Sequence, residues 1–172
     1  MNKSLKLGKH NIGEGHPPFI IAEMSGNHNQ SLERALKIVE AAASAGAHAI
    51  KLQTYTADTM TIDCENEDFT ISNPDNLWAG RTLYDLYQEA HTPWDWHHEI
   101  FELARELGMI PLSTPFDETA VDFLETLDIG IYKISSLENT DHALIKKVAQ
   151  TGKPIILSTG MMSKEDIIET VE

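Results

Sequence analysis

Two lysines sit at matching places in two short apolar runs, AIKLQ (49–53) and IYKIS (131–135), and each is followed two residues later by a polar side chain. Side chains at i and i+2 of a strand share a face, so Lys51 goes with Gln53 and Lys133 with Ser135. Two ammonium groups brought to one pocket repel and lose solvation unless an anion lies between them. The chemistry they point to is phosphate or carboxylate binding. Hydroxyls at Thr114, Ser136 and Ser158 add neutral donors that suit phosphate oxygens. One lysine alone is more simply read as the partner of a buried carboxylate such as Glu23 or Glu138; two lysines with several hydroxyls favour the anion site. The same two glutamates either neutralise the lysines or divide acid, base and water-positioning roles between them.

The elements that must position these residues are legible as a repeat. Five apolar runs end in polar residues: FIIAE (19–23), AIKLQ (49–53), IPLST (110–114), IYKIS (131–135) and IILST (155–159). Helical stretches separate them, and Gly46, Gly108, Gly130 and Gly152 precede four of them. Strand, helix, glycine, strand is the writing of a parallel α/β sheet. In a (β/α)8 TIM barrel the C-terminal strand ends share one mouth, which gathers all the residues above. At 172 residues the chain holds only about the first five βα units, against about 250 residues for a whole barrel. The spacing therefore predicts that residues 1–172 are the N-terminal portion of a barrel domain.

Local signals refine the outline. Residues 1–18 read as a lead-in arm or small hairpin. Ser31 opens a helix with an apolar face through Leu32, Ala35, Leu36 and Val39, and Gly46 turns the chain into the next strand. Residues 54–92 form a long connection, of the kind that tends to be functional. Thr92 is expected to cap a helix with Pro93 at its first position and Asp95 at its third. His28, in the loop after the first strand, is the histidine of most interest, whereas His91, His97 and His98 read as surface residues. Trp94 and Trp96, two apart on a helix, cannot both face inward. Cys64 has no base nearby in sequence.

Composition excludes several classes. Twenty-seven acidic against thirteen basic side chains give a net charge of −14, with no basic cluster, so nucleic acid and anionic membrane are poor partners. A single cysteine and no leader peptide suit a cytoplasmic protein. No apolar run approaches the roughly 20 residues of a membrane span.

The segments AEMSGNHN (22–29), AIKLQTY (49–55), STPFD (113–117), YKISSLE (132–138) and KPIILSTGM (153–161) together resemble the sialic acid synthase family, the phosphoenolpyruvate-dependent nonulosonate synthases. The resemblance runs from about residue 18 to the end. LWAGRTLYDLYQEAHTPWDWHHEIF (77–101) and ENTD (138–141) are similar to the pseudaminate-forming branch; the N-acetylneuraminate and legionaminate branches are the alternatives. The resemblance implies condensation of phosphoenolpyruvate with an open-chain 2,4-diacetamido-trideoxy sugar. It implies that Lys51, Thr114, Lys133, Ser136 and Ser158 hold the phosphate and carboxylate, that Gln53 and Glu138 lie near the sugar and the reacting carbons, and that Glu23 is a mouth glutamate. It favours Ser136 where alternation favours Ser135. It further implies a divalent metal (Mn2+, Mg2+ or Co2+) bound by histidines of later strands, no metal ligand in this chain, a C-terminal antifreeze-like domain beyond it, and a homodimer at full length. On that basis the 172 residues alone are expected to be inactive. A Schiff-base aldolase using Lys133 or Lys51, or a catalytically silent half-barrel, are the competing classes.

Overall fold

The structure is a computed structural model that describes residues 4–172; residues 1–3 of the expected lead-in arm lie outside the described residues. The chain begins with an antiparallel hairpin, β1 (Ser4–Leu7) and β2 (His10–Gly13). The helices and strands then alternate: β3 (Ile21–Glu23), α1 (Leu32–Ser44), β4 (Ala49–Thr54), α2 (Ala57–Met60), α3 (Leu83–Ala90), α4 (Trp96–Glu106), β5 (Ile110–Pro115), α5 (Glu118–Glu125), β6 (Ile131–Ile134), α6 (His142–Gln150), β7 (Ile155–Leu157) and α7 (Lys164–Val171). Strands β3 to β7 form one parallel sheet in sequence order, so every crossover returns to the adjacent strand. This is five consecutive units of a TIM barrel.

Alternation gives the sheet two faces. Ile50, Leu52, Tyr132 and Ile134 point outward into a core with Val39, Ile100, Phe101, Leu124 and Val148 of the helices. Ala49, Leu112 and Ile131 point inward, where Leu7 and Ile12 of the hairpin cover them together with Ile21, Ile110 and Ile156. Each fully buried Leu or Ile contributes roughly 1.5–3 kcal/mol. The hairpin thus closes the N-terminal end of the inner face, and polar residues are left for the other end.

Helix starts follow local chemistry. Ser31 accepts from Arg34 N–H at 3.2 Å, Asp141 from Leu144 N–H at 3.0 Å, and Ser163 forms a capping box with Asp166. After α1 the chain turns at Gly46, whose φ of +85° is the left-handed geometry that ends a helix into a strand. Two expectations are corrected. Helix α4 begins at Trp96, and its N-cap, Asp95, makes no side-chain cap bond. Thr92 is buried and meets His28 Nε2 at 3.2 Å, a tertiary partner that outcompetes the local cap. His97 is fully buried, not superficial, because its ring satisfies both nitrogens inside the fold.

The long connection carries more order than its sequence suggests. It holds α2, a 3-10 turn over Glu67–Phe69, an isolated antiparallel bridge between Thr70 and Thr82, and α3.

Candidate functional site

Register brings the inner-face polar residues together at the C-terminal strand ends. Glu23 of β3 lies beside Lys51 of β4, Gln53 beside Thr114 of β5, and Lys133 of β6 beside Ile156 of β7. One polar layer thereby sits above the apolar layer under the hairpin.

Lys51 Nζ donates to Glu23 Oε1 at 2.6 Å, with the lysine side chain 12% exposed and the glutamate 50% exposed. The simple pairing anticipated for one lysine is therefore realised here. Lys133 is different. Its Nζ donates to Ile134 O at 2.7 Å and to Ser158 Oγ, both neutral acceptors. Burial holds the Lys133 ammonium below the ordinary lysine range, and the Lys51 charge pushes the same way, against Glu23 and Glu138. Register puts Lys51 and Lys133 on the same inner face of the sheet, termed the trough.

Glu138 lies just past β6, where Ser135 Oγ donates to its Oε2. Burial pushes the Glu138 carboxyl up; the Ser135 bond and Lys133 work against that rise. Alternation thus assigns Ser135 to the carboxylate. Ser136 lies against the exit of β7, where a Cβ on Gly160 would come within 2.6 Å of Ser136 Oγ. Only a residue without a side chain lets the two strand exits approach so closely. Asn139, given no role of its own in the sequence reading, stitches these exits together: it is 2% exposed and donates to Gly160 O at 2.7 Å and Ser158 O at 3.3 Å. The available signal was an amide inside the polar stretch after a strand.

On the β3 side, Ser25 Oγ donates to Gln53 Oε1 at 3.1 Å. His28 does not face this trough. Its Nδ1 accepts from Gln30 N–H at 3.2 Å, and Gln30 Nε2 donates to Glu89 O and to His91 O at 2.5 and 2.9 Å. Burial lowers the His28 pKa, and His91 adds to the effect. The loop after β3 is therefore clamped onto the C-terminal end of α3.

Of the residues singled out from sequence, Glu23, Lys51, Gln53, Thr114 and Lys133 share the trough, the inner face at the C-terminal strand ends; Ser158 meets Lys133, Glu138 follows β6 beside Ser135, and Ser136 lies against the exit of β7. Such a trough, with two ammonium groups and hydroxyl donors, is fit to bind an anion carrying several oxygens. Among the described residues no group of three or more His, Cys, Asp or Glu side chains is arranged to hold a metal ion, and no helix is long and apolar enough to cross a membrane.

Comparison with known proteins places these features in context. The model of the NeuB family matches residues 38–172. The chain is 46% identical over 154 residues to a pseudaminic acid synthase of Campylobacter jejuni, covering 90% of this chain and 44% of that protein. It is 44% identical over 155 residues to a pseudaminic acid synthase of Helicobacter pylori, covering 90% and 45%. Its fold matches the crystal structure of an N-acetylneuraminic acid (sialic acid) synthetase from Leptospira borgpetersenii in complex with citrate, with a TM-score of 0.83 and 28% identity over 98% of this chain and 53% of that one. The chain spans under half the length of these two curated relatives.

Proposed function

Because the chain belongs to the NeuB family, we propose that it forms the phosphoenolpyruvate-holding part of a pseudaminic acid synthase. The observation that carries this reading is the pair Lys51 and Lys133 on one inner face, with Lys133 bound, among the described residues, only by neutral acceptors. In this reading Lys51, Lys133, Thr114, Ser136 and Ser158 hold the phosphate and carboxylate of phosphoenolpyruvate. Gln53 and Glu138 face the sugar and the reacting carbons.

The reaction joins two carbons. C3 of phosphoenolpyruvate attacks the sugar aldehyde, whose oxygen takes up a proton, and C2 acquires positive character. Water adds at C2, and the C2–O bond to phosphate breaks to leave a 2-keto acid. Water supplies one proton to the new hydroxyl and one to the departing phosphate. Fixed lysine charges stabilise the phosphate through each step without reorganising. Glu138, its carboxyl pushed up by burial, suits proton exchange with the water adding at C2. Glu23 stays paired with Lys51 and fixes that ammonium in place. For the divalent metal that the family resemblance implies, no group of three or more His, Cys, Asp or Glu side chains is gathered among the described residues.

The test uses the full-length protein with phosphoenolpyruvate carrying 18O in its C–O–P bridge, and the open-chain 2,4-diacetamido-trideoxy sugar. Inorganic phosphate containing the 18O is the expected product. Absence of phosphate, or its release without the label, would sink the proposal. A lysine depressed by burial and by a neighbouring charge also suits Schiff-base chemistry. Borohydride with pyruvate separates the two, since the synthase reading expects no trapped lysine.

A further inference from the structure

Ser25 stands at the trough without a role in the chemistry above, and its backbone is strained. It lies two residues beyond Glu23 with φ of +50°, the left-handed region that non-glycine residues rarely enter. Strain of this kind persists where the surroundings over-determine it, and it clusters at functional sites. Those surroundings are visible here. Asn27 Nδ2 donates to Met24 O at 2.8 Å, and a Cβ on Gly26 would meet Ala90 O at 3.2 Å. Beyond them, Gln30 ties the loop to the end of α3 at two carbonyls. The conformation so held brings Ser25 Oγ to 3.1 Å from Gln53 Oε1, across 28 residues of sequence.

A primary amide has one accepting end and one donating end. We propose that Ser25 is a positioning residue: by donating to Gln53 Oε1 it turns the Gln53 NH2 into the trough, as a donor to an oxygen of the incoming sugar. The assignment rests on the synthase reading given above. A hydrogen bond serving stability alone would gain nothing from a strained donor, because glycine at this position would relieve the backbone and leave the amide to water.

Two substitutions separate hydroxyl from backbone. Ser25→Ala removes the hydroxyl and keeps the strain; Ser25→Gly removes both. In the full-length protein, both are expected to lower kcat about tenfold, less than the roughly hundredfold that a full 1 Å misplacement can cost. Phosphoenolpyruvate affinity, set by the lysines, is expected to stay unchanged. Neither loss should add to that of Gln53→Ala, since residues acting through one another are not additive. Unchanged kcat and KM in both variants, or losses that add to Gln53→Ala, overturn the proposal. An unaltered protein that releases no phosphate overturns the synthase reading itself, a result distinct from an active protein indifferent to Ser25.

Discussion

Lys133 is held by contacts that satisfy an ammonium group without neutralising it. Ile134 O and Ser158 Oγ are uncharged, whereas Lys51 already has its carboxylate in Glu23. Among the described residues no carboxylate forms an ion pair with Lys133. Its charge is therefore the one most available to an incoming anion. Because burial and Lys51 depress its pKa, that charge is lost on raising pH sooner than from an ordinary lysine. Anion affinity is expected to fall along an alkaline limb, and Lys51→Met is expected to move that limb to higher pH. Calorimetric titration with phosphoenolpyruvate across pH measures both. The stability sign is opposite. A depressed lysine costs stability while charged, and the cost is relieved as pH rises through the folded pKa. At neutral pH, Lys133→Met should thus raise the melting temperature while weakening phosphoenolpyruvate binding about tenfold or more, the scale of a lost charged hydrogen bond. A variant that loses both stability and binding would contradict this account.

Behind the trough, α4 is pinned to β4 and β5 by a buried polar chain. A carbonyl only accepts, so His97 Nδ1 donates to Pro93 O at 3.2 Å. Nε2 then accepts from Thr54 Oγ1 at 2.9 Å, and Thr54 accepts from Ser113 Oγ at 2.6 Å. Thr54 and Ser113 adjoin Gln53 and Thr114, so this chain fixes the strand ends from the outer face. Burial pushes the His97 pKa from 6.5 to about 4. Stability from the neutral ring is complete above the unfolded value and is lost as pH falls through that window, on the order of 3 kcal/mol in all. Denaturant titrations at intervals between pH 7 and 4 should show this loss, and His97→Gln should flatten it. Thr54→Val leaves Nε2 unpaired and is expected to cost about 1–3 kcal/mol at pH 7. What sequence could reveal divides along the same line. Strand order, the inward face of Lys51 and Lys133, and the helix start at Ser31 depend on residues a few positions apart, and all are readable. Thr92 and His97 were misread because their partners lie 64 and 43 residues away, beyond any local pattern. Ser25 escaped for the same reason, and the approach of Ser136 to the exit of β7 is another contact beyond any local pattern.

At the largest scale, the described residues form a parallel sheet with a strand at each end that has one neighbour. Among the described residues β3 pairs only with β4, and β7 only with β6, so each presents a row of backbone groups with no strand beside it. Apolar side chains lie near those sides: Ile20 is 51% exposed, Met161 81% and Ile168 47%. Unpaired parallel edges next to apolar surface are templates for another chain. Opposing this, the net charge of −14 makes two copies repel. The two terms respond differently to salt. Screening shortens the range of the repulsion, to about 10 Å at 0.1 M ionic strength, and leaves edge pairing and apolar contact intact. Residues 1–172 produced alone are therefore expected to associate, and to associate more as salt rises, in sedimentation velocity runs over a range of concentrations. A monodisperse monomer at every salt concentration, melting cooperatively, would show that five strands close their own edges.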